Sequence, residues 1–179
     1  MVRTGRQRKE QVCYYVINRS SDNKKLFQDS SDYRQYLRII RKYKMRFRVQ
    51  VFAFCLLPES VHLLIHPQRS WYLSRFMQGI SQSYAHYFHA SHTVCGQVWH
   101  GRFKSRLVEE DNDFVETVRH IEYLAIKAQL AFVPMAYPWN SCRYRLLGAP
   151  SRLVDLAWNR EYLFSYPVCP IIQDEYKVF

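Results

Sequence analysis

Cys55-Leu-Leu-Pro-Glu-Ser-Val-His-Leu-Leu-Ile-His66 is the stretch that decides the fold of this chain. On an extended strand alternate side chains share a face, so Val61, Leu63 and Ile65 point one way and Ser60, His62 and Leu64 the other. Pro58-Glu59 separates the apolar run at 47–57 from the strand at 60–66. Two strands joined by so short a break predict an antiparallel hairpin. Histidines at both 60 and 62 would clamp a divalent cation, but only His62 is present. The candidate metal ligand of that face is His62, and Ser60 beside it carries a hydroxyl.

Upstream of the hairpin, residues 12–18 are β-branched and aromatic, a strand ended by the turn-prone Arg19-Ser-Ser-Asp-Asn23. Ser30 or Ser31 can cap a helix with Tyr33, Tyr36, Leu37, Ile40 and Tyr43 at helical spacing. Downstream, Ser70 begins a second helix with Leu73, Phe76, Met77, Ile80, Tyr84 and Phe88 on one stripe. A loop-rich segment at 94–108 surrounds Gly96 and Gly101, and a third helix starts at 111–113 with Phe114, Val118, Ile121 and Ala125 turned inward. This order predicts an α+β fold, an antiparallel sheet with helices packed on one face. Gly148-Ala-Pro150 closes a domain at 1–148. The remainder, 149–179, is expected to form a short helix within 151–164 and an extended tail that docks on the domain.

The 179 residues carry a formal charge of +11, with a pI near 9.6, which favours an anionic partner, nucleic acid above all. Residues 1–50 hold 14 lysines and arginines against 4 aspartates and glutamates, an excess of 10. Arg3, Arg6, Arg8 and Lys9 read as a solvated tail, whereas Lys24, Lys25, Arg41, Lys42, Lys44, Arg46 and Arg48 supply a general positive field. The five cysteines are scattered, without a paired motif, and the charged N-terminus is no signal peptide. A reduced, cytoplasmic chain is expected, associated with the bacterial nucleoid and without a membrane partner. Three histidines at 86, 89 and 92 lie three residues apart, but no cysteine or carboxylate joins them, so they read as surface or DNA-facing groups rather than a zinc site.

Several segments in order resemble the REP-associated tyrosine transposases, within the single-tyrosine HUH transposase family. They are Tyr15-Val-Ile-Asn-Arg19, Leu26-Phe27, Asp32-Tyr33, the strand around His62, Ser83-Tyr-Ala-His-Tyr-Phe88, Val98-Trp-His-Gly-Arg-Phe-Lys-Ser105 and Tyr137-Pro-Trp-Asn-Ser-Cys-Arg143. The resemblance covers about residues 12–147. It implies a ferredoxin-like HUH endonuclease fold and an enzyme that binds hairpin DNA. In such an enzyme a helix tyrosine attacks a phosphate polarised by a cation on two strand histidines and one polar helix side chain. This chain departs at those places. By the resemblance the first metal histidine falls on Ser60, the nucleophilic tyrosine on His120, and the helix ligand, one turn on, on Leu124. His120 and Tyr123 are the remaining candidates for catalysis.

DNA contacts are expected elsewhere. Trp99-His-Gly-Arg-Phe-Lys-Ser-Arg106 interleaves aromatic and cationic groups, as single-stranded binding requires. Arg102, Lys104 and Arg106 alternate as on one face of an extended segment, with Arg19 at the end of the first strand. The alternative is a hairpin with Trp99 and Phe103 packed inside. The function expected is binding of single-stranded or hairpin DNA without standard tyrosine-mediated cleavage, using no cofactor or a weakly bound Mg²⁺ or Mn²⁺. The alternatives are an active transposase or nickase with an altered site, and a domesticated RNA- or protein-binding derivative. Monomer and dimer both remain open.

Overall fold

The computed structural model describes residues 12–92, 96–146 and 151–155. The four N-terminal tail cations, Cys95, Cys169 and most of the expected C-terminal helix and tail lie outside them. Strands β1 (Cys13–Arg19), β2 (Val49–Leu57), β3 (Ser60–Pro67) and β4 (Lys104–Val108) pair antiparallel in the order β2-β3-β1-β4. β2 and β3 make the predicted hairpin, with Cys55 opposite His62. An extra residue, Phe52, interrupts this ladder between Val51 and Ala53. Such a bulge exchanges faces along the strand, so Val49 and Val51 pack on one side of the sheet and Ala53 and Cys55 on the other.

Helices α1 (Ser30–Phe47) and α2 (Ser70–Ser91) cover one face. The buried stripe of α2 is Leu73, Phe76, Met77, Ile80, Tyr84 and Phe88, the set its spacing predicts. A β-carbon at Gly79 would overlap the Tyr43 ring, so glycine there sets how closely α1 and α2 approach. The cap of α1 is Asp29, ahead of the expected serines. Its Oδ1 accepts from the Ser31 and Asp32 amides at 2.6 and 3.2 Å, closing two donors of the first turn.

Helix α3 (Asp111–Lys127) lies on the opposite face, with Val118, Ile121 and Ala125 against Tyr15, Cys55 and Leu64. Helices on one face therefore describes α1 and α2 but not α3. The reason is in β2 and β3, which are apolar at both parities, as strands covered on both sides are.

The outer edge of β2 is closed by the chain beyond α3. The Leu56 amide donates to Trp139 O, and the Ser141 amide donates to Phe54 O. Further along, the Val51 amide donates to Asp155 Oδ2 and the Asp155 amide to Val51 O, each at 2.8 Å. Leu153 and Val154 are buried in the core shared by the sheet, α1 and α2, and residues 151–155, the described part of the span expected to hold a short helix, dock as an irregular segment. Lys44 belongs to this docking and not to a general field. It is buried, ion-paired with Asp155 at 2.7 Å and bonded to Leu153 O. Cys13, Cys55 and Cys142 are buried free thiols. Among the described residues no helix is long and apolar enough to cross a membrane.

Candidate functional site

Residues paired across antiparallel strands share a face. Arg19 pairs with Ser60, Ile17 with His62 and Lys104, and Tyr15 with Arg106. The register thus gathers Arg19, Ser60, His62, Lys104 and Arg106, which lie far apart in sequence, on the face that α3 covers. Tyr15 stands at the centre. Its hydroxyl is 2.8 Å from His62 Nδ1, while Ser60 Oγ is 3.0 Å from His62 Nε2. The His120 ring meets the Tyr15 ring edge-on at 5.8 Å, and the Arg106 guanidinium lies 5.6 Å over it.

Burial favours the uncharged forms of His62, Tyr15 and His120. Burial pushes the His62 imidazole down to about 4, assisted by His120 and Arg19. Burial likewise pushes the Tyr15 phenol up to about 12 against the opposing pull of Arg106. His120 is lowered too, first by partial burial and then by Lys127 and Arg106. Arg106 Nη1 donates to both carboxylate oxygens of Asp113, at 2.8 and 2.9 Å, and Nη2 donates to Thr117 Oγ1. Tyr123 is half-buried, with Lys127 Nζ 6.0 Å above its ring.

The residues here do not fit the divalent cation that the resemblance implies. Both nitrogens of His62 already face a hydroxyl, Ser60 offers only a neutral oxygen, and Leu124 packs against the apolar core between α3 and the sheet. Glu59 is exposed in the hairpin turn, on the other side of Ser60. Among the described residues no three histidines, cysteines or carboxylates converge. Of the histidine triplet, His86 is exposed and His89 bonds Gly96 O, while His92 is 2.9 Å from the buried Asp32.

The segment expected to contact DNA divides. Trp99 is buried against Tyr36 and Tyr84, and its indole N–H donates to Ser81 O at 2.9 Å. It is a core residue with no face left for a base, so the packed-inside alternative holds for it. Arg19, Arg102 and Lys104 are exposed, and no ion-pair partner is found for them among the described residues. The outer face of α1 adds Arg34, Arg38, Arg41, Lys42 and Arg46, all exposed, while the one carboxylate of that helix, Asp32, is buried.

The neutral state of His62 has a measurable consequence. Below pH 6.5 the unfolded chain protonates this histidine and the folded chain does not, so stability is intact above pH 6.5 and lost as pH falls toward 4. From the shift, about 2 kcal/mol should be gone by pH 5. Denaturant unfolding at pH 7 and 5 should show this drop in the native chain and a much smaller one in His62→Gln. An equal drop in both would place the titration elsewhere.

Residues 8–123 match a family model described as "Transposase IS200 like". Among solved structures the chain resembles "the REP associates tyrosine transposase bound to a REP hairpin", with a TM-score of 0.72 at 14% identity, over 94% of this chain and 96% of that one. It also matches a putative transposase from Deinococcus radiodurans R1, with a TM-score of 0.47 at 18% identity, over 73% of this chain and 99% of the other. No curated protein matches.

Proposed function

We propose, from the premise that this chain belongs to the IS200-like transposase family, that it binds single-stranded or hairpin DNA and no longer cuts it by the tyrosine chemistry. The observation that carries the loss of cutting is the state of His62, buried with each ring nitrogen against a hydroxyl. Binding is supported by Arg19, Arg102 and Lys104, exposed around the same face, and by the net charge of +11. The structural relative is itself named as bound to a REP hairpin. A second reading, a nickase with an altered site, is favoured by His120. It is exposed and its lowered pKa keeps a neutral, nucleophilic imidazole beside Tyr15.

The test incubates the purified chain with single-stranded hairpin DNA and Mg²⁺ or Mn²⁺, then runs native and denaturing gels. Salt-sensitive binding with no covalent adduct and no nick supports the proposal. An adduct or nick abolished in His120→Ala would establish the second reading instead. The cations give a quantitative check. Arg102→Ala/Lys104→Ala should weaken hairpin binding about tenfold and reduce the slope of log K against log salt by about two. An unchanged slope would remove both residues from the phosphate contacts.

A further inference from the structure

We infer that the cavity between α2 and the loop at residues 101–103 is a binding pocket for one unpaired nucleobase of a DNA strand. It lies on the opposite side of the sheet from the His62 site, since α2 and α3 cover opposite faces. Its volume is about 510 Å³, within the range of about 300–1,000 Å³ usual for small-ligand pockets.

The lining has the chemistry of a base site. Gln78 and Gln82 stand one helical turn apart on α2, both exposed, and both line the cavity. Each carboxamide couples a donor with an acceptor, the pairing that matches the edge of a base. Phe103, half-buried and packed against the core, brings an aromatic edge into the same lining. Arg102, exposed in the same lining, is placed to meet the phosphate of the seated nucleotide. The backbone between Trp99 and Arg102 turns at Gly101 with φ +71°, and a β-carbon there would touch nothing within 4 Å, so the approach is open.

The pocket is formed before any ligand arrives. The bond from the Trp99 indole to Ser81 O ties the loop to α2, and Ser81 is part of the lining. Behind that wall Asn18 Nδ2 donates to Ser81 Oγ at 3.0 Å. Asn18 is 2% exposed, and its Oδ1 has no hydrogen-bond partner among the described residues. Lys104, two residues beyond Arg102, belongs to the α3 face. A strand seated by one base in the pocket can therefore cross the rim at 102–104 and continue toward Arg19.

This inference rests on the proposed DNA-binding reading, and the experiment separates the two. Hairpin DNA with a single-stranded flank is scanned with one abasic site at each flank position. Binding is measured for the native chain and for Gln78→Ala/Gln82→Ala, whose folding is checked by thermal unfolding. The expected result is that one abasic position weakens native binding about tenfold and has no effect on the variant. A variant that stays equally sensitive to that position would overturn the pocket, as would a native chain that binds the hairpin with no sensitive position. Failure of the native chain to bind any hairpin would overturn the DNA-binding reading itself, and the pocket with it.

Discussion

Glu122→Ala should cost the fold about 3–5 kcal/mol, the loss expected when one partner of a buried ion pair is removed. Glu122 is 2% exposed on α3. Its carboxylate is paired with Arg145 on α4 (Cys142–Leu146), and Oε1 accepts from Ser141 Oγ at 2.8 Å. Ser141 in turn bonds both backbone groups of Phe54 on β2. The carboxylate therefore joins α3 to the segment that closes the β2 edge. Its removal leaves the partly buried Arg145 guanidinium without this counter-charge and frees an edge strand to pair with other chains. Glu122→Met/Arg145→Met should recover most of the loss, because an apolar pair of similar volume leaves no charge stranded. Urea unfolding at pH 7 measures all three proteins. A loss below about 1 kcal/mol in Glu122→Ala would mean that water reaches Arg145 and that the pair behaves as a surface one.

This pair also marks where sequence reasoning stops. The stripes of α1 and α2 were readable because helical spacing is a local property, and Leu73 through Phe88 are buried as the period requires. The hairpin at Pro58-Glu59 was readable for the same reason. What was not readable depends on pairing between distant segments. Arg106 looked like a free cation in an alternating run, yet Asp113 and Thr117 hold it from the next helix. Lys44 looked like part of a basic field, yet Asp155 buries it. Trp99 sat among cations as a stacking aromatic would, but nothing in the local pattern tells a base-facing ring from a core ring. The bulge at Phe52 has no sequence signal in a strand apolar at both parities, and it decides which β2 side chains meet α3. Tyr15 is the clearest omission. Its place beside His62 follows only from the register between β1 and β3.

Under the proposed reading, three substitutions should give this chain strand-cleaving activity. Ser60 and His62 lie on one face of β3, with Oγ and Nε2 already 3.0 Å apart, so Ser60→His would set two imidazoles side by side. Positions 120 and 124 are one turn apart on α3, and His120 already reaches Tyr15, the neighbour of His62. Ser60→His, His120→Tyr and Leu124→Asn together recreate the donor set and the phenol that the resemblance calls for. The Leu124 change places a carboxamide against an apolar core, at a cost of about 1–3 kcal/mol, which the fold must tolerate. Binding of Mn²⁺, read as a rise in melting temperature, should appear in the triple variant and exceed that of the native chain. A 5′-phosphotyrosine adduct with hairpin DNA should follow on a denaturing gel, and should vanish when position 120 is changed to phenylalanine instead. A folded triple variant that binds hairpin DNA and Mn²⁺ yet forms no adduct would reject the assignment of the nucleophile to position 120. One that binds hairpin DNA but no Mn²⁺ would reject the assignment of the ligands to 60, 62 and 124. The geometry around Tyr15 favours the restored site, because the strand register and the helix turn that such chemistry needs are already in place.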